Sequence, residues 1–486
     1  MTAQLVQAIY AQGNNANISS SPGNTYKFTL PEPVGTGNCL VLLQTFTNSV
    51  TVSAISDNIN GSWSTTAAQA CAGANNNTNF YLKAGVSAGV TTVTVVFSGT
   101  VQGQPFTLME WSGIATSSPA DGGASNPSQN YNGTTPISTG AFTPATNNDA
   151  NGGHLILAGF YLDPFAATSH PTDFIASSGF TLLHADIGWE ANGGLPKAAS
   201  YQVQTTNGSV NPAMTPTGDT NAADTYNCVA LALKLSPGAG TPPSSSMRIV
   251  SQTFFYETTG GAAFGWKNKC PIIGNLAVLT TFHGQFTAVS DSDGNTWHYV
   301  PNDNPTPGLD NSSQIWYANV TPNSNLFITT TLNSGHNVPQ VRFYDIANAA
   351  SSNVLGAHGF TTTHAAGATQ DHSPDITPTT AGSRVIVVAE DGVGPVLAIT
   401  NPANAVLDMV PFTGASDSST YDSGNGWGHF PVTQAMVGNV QNVTWTINGT
   451  TFSVTTNAAE FLPGVVVPPA PPSQVFGIIG LGSSEW

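Results

Sequence analysis

The chain has 486 residues, which exceeds a single typical core and suits two domains of about 200 residues or more. Only 7% of its residues are charged, so Asn, Ser, Thr, Gln and Gly must cover the surface, and this composition favours strands and turns over helices. The net charge of −17 makes nucleic acid and anionic membranes poor partners, because a phosphate backbone requires clustered Lys and Arg, and we expect no nucleic acid to bind.

The N-terminal segment has no basic stretch followed by a continuous apolar run, so it does not resemble a secretory signal. No stretch approaches the roughly 18 consecutive apolar residues of a spanning helix, and we therefore expect no membrane insertion. A composition typical of exposed extracellular β-proteins, without an export signal, indicates a virion protein that is assembled in the cytoplasm and exposed after lysis. A secreted protein whose signal has been removed accounts for the same features, so an extracellular location is the alternative to the virion surface.

Apolar and polar residues alternate along the chain, as where Val93, Val95 and Phe97 alternate with Thr92 and Thr94. The 23 Phe, 12 Tyr and 9 Trp residues lie in such runs, which excludes disorder. About eight to ten strands in roughly 220 residues exceed an immunoglobulin domain. We therefore predict an all-β fold with two tandem antiparallel β-sandwich domains of jelly-roll-like form.

Five segments match later segments of the chain in the same order. The clearest match aligns Asp57 and Trp63 with Asp291 and Trp297, at the same spacing between acid and indole. The other matching ranges are 37–43 with 274–279, 79–97 with 314–331, 106–110 with 341–345, and 153–158 with 383–388. This order predicts two domains related by duplication.

The predicted domains cover residues 1–235 and 247–463, which we call the first half and the second half. A Pro/Gly/Ser segment at 236–246 is expected to link them. Residues 464–486 are predicted to form a Pro-rich spacer and an apolar docking tail. Exposed apolar side chains are unfavourable in water, so the tail should add a strand to a partner or pack on its own domain. Its apolar residues are Phe476, Ile478, Ile479 and Leu481.

A motif of the form D-x-x-G-N-x-W, followed by W-Y-A-x-V and an acid after an apolar strand, occurs in the second half. It is carried by residues 291–297, 316–320 and 343–345, and more loosely by the first half. The motif resembles tandem β-sandwich repeats of bacteriophage structural proteins and secreted bacterial surface proteins. The resemblance covers about half of each domain, implies an adhesive or display module, and brings no catalytic residues.

Asp291, Asp293 and Asn295 carry alternate side-chain oxygens that are typical of a calcium loop. The EF-hand spacing fails, because Gly294 comes too early and the twelfth position is Asn302. A tight hairpin turn explains the same residues, so we expect no cofactor and keep calcium as the alternative.

The four cysteines form no CxxC pair, which argues against a zinc site. Cys39 and Cys228 lie in apolar runs and are expected to be buried. A bridge from Cys39 to Cys71 or from Cys39 to Cys228 remains open. The fourth cysteine is Cys270.

A glycan hydrolase needs two neighbouring carboxylates. Glu110 and Asp345 occupy equivalent positions in separate domains, so they cannot form one catalytic pair, and we expect the protein not to be an enzyme. Glu190, Glu390 and Asp391 are the other strand-associated acids. His358, His364 and His372 are expected to be solvated loop residues.

Trp189 and Trp427 lie in Gly-rich segments that suggest loops, which makes them the candidate ligand-binding residues. The predicted function is that of a structural or display protein of a bacteriophage particle, as a capsid decoration, head fibre or tail-associated protein. Its expected partners are other virion proteins or copies of itself. The alternatives are a module that binds carbohydrate or a cell surface, with a host-surface glycan as ligand, and a secreted glycan hydrolase.

Overall fold

The structure is a computed structural model that describes residues 3–11, 23–101, 106–131, 135–163, 171, 173–186, 197–218, 224–256, 268–282, 286–300, 313–322, 324–332, 340–363, 370–391, 396–408, 425–447 and 454–464. These residues form strands and turns, with short 3₁₀ helices at Asp149–Asn151 and Gln434–Met436. Within the described ranges, no helix has the length and apolarity needed to cross a membrane. The prediction of an all-β fold is confirmed.

The strands of the first half are β1 (Gln4–Ala11), β2 (Gly23–Thr29), β3 (Cys39–Thr47), β4 (Val52–Asp57), β5 (Gly61–Ser62), β6 (Gln69–Ala72), β7 (Asn76–Lys83), β8 (Thr92–Val101), β9 (Phe106–Ser112), β10 (Ala120–Asn130), β11 (Ile137–Ser138), β12 (His154–Asp163), β13 (Asp173–Ala176), β14 (Thr181–Asp186), β15 (Lys197–Gln204), β16 (Ala213–Thr217) and β17 (Thr225–Lys234).

The strands of the second half are β18 (Arg248–Tyr256), β19 (Asn268–Pro271), β20 (Leu276–Phe282), β21 (Phe286–Asp291), β22 (His298–Tyr299), β23 (Gln314–Asn319), β24 (Asn325–Leu332), β25 (Gln340–Ala347), β26 (Leu355–Thr363), β27 (Gln370–His372), β28 (Arg384–Asp391), β29 (Val396–Asn401), β30 (Val406–Leu407), β31 (Asn425–Pro431), β32 (Thr444–Ile447) and β33 (Val454–Phe461).

Two large sheets contain strands from both halves. The ten-stranded sheet has the order β22-β23-β20-β25-β18-β1-β9-β3-β7-β6, and β1 and β18 run parallel at its centre, with Ala8 opposite Ser251. The eight-stranded sheet has the order β10-β17-β12-β15-β14-β19-β24-β21, and its two parts meet where β14 pairs with β19. The remaining sheets are β2-β8-β4-β5, β11-β16-β13, β26-β33-β28-β31-β30 and β27-β32-β29.

Each half contains two sandwiches, whereas the sequence led us to expect one sandwich of about eight to ten strands per half. The first sandwich is formed by β1 to β9, the second by β10 to β17, the third by β18 to β25 and the fourth by β26 to β33. Each has an apolar core of its own between two sheets. Representative core residues, in sandwich order, are Phe28, Phe174, Phe343 and Trp445.

The two sandwiches of each half also pack against each other through a further apolar core. Strand β3 shows why the second sandwich of each half could not be predicted from the sequence. Its residues Leu40 and Leu42 face the first core, while Val41 and Leu43 face the neighbouring sandwich, so the strand is apolar on both sides. A strand covered on both faces loses its alternation, and a continuous apolar run does not show how many layers surround it.

The segment between the halves packs on the first sandwich. The Thr241 backbone N–H donates a hydrogen bond of 2.6 Å to Asn38 Oδ1, and the Thr241 hydroxyl donates to the Thr36 carbonyl oxygen at 3.0 Å. Gly240 adopts a φ of +73°, and a Cβ atom there would lie 2.3 Å from Asn38 Oδ1. A glycine is therefore required where the segment passes the first sandwich.

Candidate functional site

The feature of the structure that concentrates polar chemistry is the contact between the two halves. The chain has 26 acidic and 9 basic residues, and several of them are buried at this contact instead of exposed. Burial of an unpaired charge is strongly unfavourable, so the partners of these groups define what the site does. The charged side chains at the contact are the partly buried Glu32 and the buried Arg248, Arg384 and His429. The buried Arg342 and Asp408 lie behind His429, within the second half.

Asp408 follows β30 and is the acceptor around which the site is arranged. Its Oδ1 accepts a hydrogen bond of 2.7 Å from Gln252 Nε2, and its Oδ2 accepts bonds of 2.9 Å from the Tyr344 hydroxyl and from His429 Nδ1. Burial alone would raise the pKa of Asp408, but the charge and hydrogen bond of His429 and the charge of Arg342 lower it below its usual value. Asp408 is therefore an ionised carboxylate inside the protein.

Arg342 in β25 is the guanidinium of this network. Its Nη1 donates to Gln252 Oε1 at 2.9 Å and its Nη2 donates to the Asp408 carbonyl oxygen at 3.0 Å. The guanidinium carbon lies 4.8 Å from the ring centroid of Trp427, which is a cation–π contact. This contact and its hydrogen bonds hold the Arg342 guanidinium between the sheets of the second half.

Trp427 lies in strand β31, opposite Val388 of β28, and not in a loop. Only 1% of its surface is exposed, so neither ring face is open to a ligand in this structure. The glycines beside it in the sequence suggested a loop, but β31 continues through them. The ring contributes to the core between the third and fourth sandwiches.

His429 in β31 connects this network to the first half. Its Nδ1 lies 2.9 Å from Asp408 Oδ2, and its Nε2 lies 2.8 Å from the carbonyl oxygen of Pro31, which follows β2. Burial alone would lower the pKa of His429, but the charge and hydrogen bond of Asp408 raise it above its usual value. The imidazole therefore ties the fourth sandwich to the first.

A second link between the same sandwiches is the ion pair of Arg384 and Glu32, with Nη2 of the arginine 2.6 Å from Oε1 of the glutamate. The same Oε1 accepts a bond of 3.2 Å from the Ile249 N–H. Gln7 donates to the Glu32 carbonyl at 2.8 Å and accepts from the Glu32 N–H at 2.9 Å. Glu32 therefore touches β1, β18 and β28.

Glu110, one of the two acids that the sequence placed at equivalent positions, lies in β9 and is fully buried. It accepts hydrogen bonds from the side-chain Nδ2 of Asn38, from Gln7 Nε2 at 2.6 Å and from the Gly35 N–H at 2.9 Å. Burial raises its pKa, although these hydrogen bonds lower it. The carboxyl group holds the segment before β3 against the sheet.

Asp345, the other acid, holds the segment before β20 against the sheet, as Glu110 holds the segment before β3. Its two oxygens accept from the Ile273 N–H at 2.8 Å and the Gly274 N–H at 2.9 Å. Burial raises the pKa of Asp345 to about 7, while these bonds and the charge of Arg248 lower it. Arg248 also donates to the Val6 carbonyl, across the parallel pair of β1 and β18.

The calcium candidates Asp291, Asp293 and Asn295 form a turn held by the first of them. Asp291 Oδ1 accepts from the Asp293 N–H at 2.9 Å and the Asn295 N–H at 3.1 Å. Its Oδ2 accepts from the Trp297 indole N–H at 2.7 Å. Both carboxylate oxygens therefore face N–H donors, and no group of three or more metal-ligating side chains is found among the described residues.

The matching motif of the first half has the same geometry. Asp57 Oδ1 accepts from the Ile59 N–H at 2.9 Å, and Oδ2 accepts from the Trp63 indole N–H at 2.8 Å. The spacing of acid and tryptophan that repeats in the sequence is thus the signature of a loop in which one carboxylate caps the turn and fixes the indole.

Cys39, Cys71 and Cys228 are buried, and no disulfide joins Cys39 to Cys71 or Cys39 to Cys228, so neither of the two bridges left open by the sequence is formed in this structure. Burial raises the pKa of the Cys39 thiol to about 12. His358 is exposed, as expected, but it lies in strand β26 and not in a loop, and its Nδ1 is 3.0 Å from the Gly356 carbonyl oxygen.

Several sequence predictions fall outside the described part of the chain. These residues are Trp189, Glu190, His364, Phe476, Ile478, Ile479 and Leu481. The side chains of Cys270, His372, Glu390 and Asp391 also lie outside it.

Sequence reasoning missed the network around Asp408. One signal was present, because Asp408 interrupts the apolar run Val406-Leu-Asp-Met-Val410 in a chain with few charges. Comparison with known proteins gives no match to any family model, curated protein or solved structure.

Proposed function

We propose that this protein is a non-catalytic structural or display component of a bacteriophage particle, exposed on the virion surface and built by duplication of a unit of two jelly-roll sandwiches. The ten-stranded sheet that continues through both halves is the observation that carries the proposal. A sheet shared in this way joins the halves as one body, so the loops at either end keep fixed relative positions. Fixed presentation of surface loops is what a decoration, fibre or spacer requires.

The strand orders support the duplication. The orders β1-β9-β3-β7-β6 and β18-β25-β20-β23-β22 correspond strand for strand along the chain, as do β10-β17-β12-β15-β14 and β26-β33-β28-β31-β30. The opposite sheets of the sandwiches correspond as well. The order β2-β8-β4 matches β19-β24-β21, and β11-β16-β13 matches β27-β32-β29, while β5 has no counterpart among the described strands. Within each sandwich the order is that of a jelly roll, with β1-β9-β3-β7 facing β2-β8-β4-β5 in the first.

Capped segments in equivalent places add further support, although the acids that cap them lie in different strands, Asp121 in β10 and Glu460 in β33. Beyond the pairs of acid and indole already described, each half has a buried acid that caps a segment beginning with Thr-Pro. Asp121 accepts from the Thr146 N–H at 2.9 Å in the second sandwich, and Glu460 accepts from the Thr380 N–H at 3.2 Å in the fourth. Unrelated domains have no reason to share both the strand order and the capped segments.

The halves are joined on both sides of the ten-stranded sheet. On one side, β14 pairs with β19, and Lys269 Nζ lies 3.0 Å from Asp173 Oδ1 across that contact. On the other side, Glu32 and Pro31 of the first half bind Arg384 and His429. Because the halves are attached on both sides, this arrangement favours a rigid spacer and argues against two domains that move independently.

Jelly rolls are used by viral capsid domains and by lectins, so the fold by analogy fits both the particle proposal and the carbohydrate-binding alternative. The polar exterior with few charges supplies contact area for either role. The structural proposal is preferred because the polar networks of the described residues connect sheets and loops of the protein itself.

The direct test is co-purification. Particles from a producing culture are banded on a density gradient, and the protein is measured in the band by quantitative mass spectrometry. We expect a fixed copy number per particle, and a protein found wholly outside the band would refute the proposal. A chain lacking residues 468–486 tests the tail, because the docking hypothesis predicts loss of this chain from the band while the full-length chain is retained.

A glycan array separates the carbohydrate alternative. The structural proposal predicts no binding above background for the wild-type chain. Binding that disappears on Trp189→Ala, with the unfolding temperature unchanged, would favour the module that binds host-surface glycan.

A further inference from the structure

His429 lies between two groups that only accept hydrogen bonds. One is the Pro31 carbonyl oxygen, 2.8 Å from Nε2, and the other is Asp408, 2.9 Å from Nδ1. Asp408 is held in its carboxylate form, because the charges of His429 and Arg342 lower its pKa and Gln252 and Tyr344 donate hydrogen bonds to it. A neutral imidazole has one N–H and satisfies one acceptor, so the observed geometry requires both nitrogens to carry protons.

The charges around the ring come from four segments. Asp408 follows β30, Arg384 belongs to β28 and Glu32 follows β2, while β25 contributes Arg342 and Tyr344 to the far side of Asp408. The negative charges of Asp408 and Glu32 favour the imidazolium form of the ring, and the positive charge of Arg384 opposes it. The nearest of these groups is the directly bonded Asp408 carboxylate.

We propose that His429 is a proton-controlled clamp between the fourth sandwich and the first. In the imidazolium form it donates to Asp408 and to Pro31 together. When the proton leaves, the ring keeps the hydrogen bond to the carboxylate, because a bond to a charged acceptor is the stronger one. The lone pair of Nε2 then faces the Pro31 oxygen at hydrogen-bond distance, and the contact at Pro31 opens.

The direction of the pH dependence follows from the raised pKa of His429. The stabilisation is complete below the usual histidine value of 6.5 and is lost as the pH rises through the higher value in the folded protein. The pairing of β14 with β19 on the other side of the large sheet uses backbone groups and is unaffected. The expected change is therefore local opening around Pro31 and Glu32, with the halves still joined. This inference stands independently of any association with a particle.

The test uses the full-length chain with ¹⁵N-labelled histidine. The chain has ten histidines, and the His429 signals are assigned by their absence in His429→Gln. We expect both ring nitrogens to be protonated at pH 6 and a pKa above 6.5. A neutral ring at pH 6, or a pKa below 6.5, would overturn the proposal.

Hydrogen exchange tests the coupling to the junction. The Glu32 and Ile249 amides donate to Gln7 and to Glu32, and they report on this contact. After division by the intrinsic rate at each pH, their protection should fall about tenfold across the titration of His429, as for one lost buried hydrogen bond. The fall should be absent in His429→Gln and present in His298→Gln, a control at the exposed His298 of β22.

If the Glu32 and Ile249 amides of the wild-type chain are equally protected below and above the pKa of His429, the clamp proposal is overturned. If His429→Gln does not fold, the His429 signals are assigned by elimination with His→Gln substitutions at the other histidines, and Asp408→Asn is measured instead. Removal of the carboxylate charge should lower the pKa of His429, and an unchanged value would also contradict the proposal.

Discussion

Arg384 at the start of β28 and Glu32 after β2 form an ion pair of 2.6 Å that connects the last sandwich of the chain to the first. The arginine side chain is 8% exposed and the glutamate side chain 19% exposed. A pair so well shielded from water is costly to break, because the remaining charge stays buried without its partner. Together with His429, it forms the polar side-chain contact between the fourth sandwich and the first.

Glu32→Gln should therefore weaken the protein by about 3 kcal/mol, since Gln keeps an acceptor for the Ile249 N–H but leaves the Arg384 charge unpaired. The matched control is Asp173→Asn, which removes the more exposed pair with Lys269 on the opposite side and should cost about 1 kcal/mol or less. Urea unfolding midpoints measure both. If the two substitutions lower the unfolding free energy equally, the stronger burial of the Glu32 ion pair does not add to its contribution to stability.

Trp427→Ala should destabilise the protein by about 3 to 5 kcal/mol, because it leaves a cavity in a closed core and removes the ring under Arg342. Ile59→Ala, at a side chain that is 50% exposed, is the control and should change stability by about 0.5 kcal/mol or less. Thermal unfolding reports the difference. A stable Trp427→Ala protein that has lost binding to a glycan would restore the ligand-binding interpretation of this residue.

The sequence was sufficient to predict strands, because alternation such as that of Val93, Val95 and Phe97 is a local property. The number of layers was not predictable, since β3 has the same apolar run whether one sandwich or two cover it. The network around Asp408 could not be predicted from the sequence either. Pro31 and His429 meet only because β2 and β31 come together in the fold, and a pattern within one segment carries no information on such a contact.

The turn that contains Asp291 should behave as a hydrogen-bonded loop and not as a calcium site. Asp291→Asn loses part of the acceptor capacity that holds the Trp297 indole and should cost about 1 to 2 kcal/mol. Asp57→Asn, at the equivalent turn, should cost a similar amount. The unfolding temperature of the wild-type chain should not change on addition of millimolar calcium or of a chelator. A rise with calcium that disappears in Asp291→Asn would identify a cation site.

Asp345 should make the folded state more stable in acid than at neutral pH. Burial raises its pKa from 3.8 to about 7, so the folded protein holds the proton more tightly than the unfolded chain. This contribution is complete below pH 3.8 and is lost as the pH rises to about 7.

Asp345→Asn cannot titrate, so the unfolding free energy of this variant should fall less between pH 4 and pH 7 than that of the wild-type chain. Asp57→Asn is the control, because the Asp57 pKa is lowered and its contribution has the opposite direction. Urea unfolding at half-unit pH intervals gives both profiles. Parallel curves for Asp345→Asn and the wild-type chain would mean that the Ile273 and Gly274 N–H groups and Arg248 keep Asp345 ionised throughout, and that the acid anchors its segment as a permanent charge.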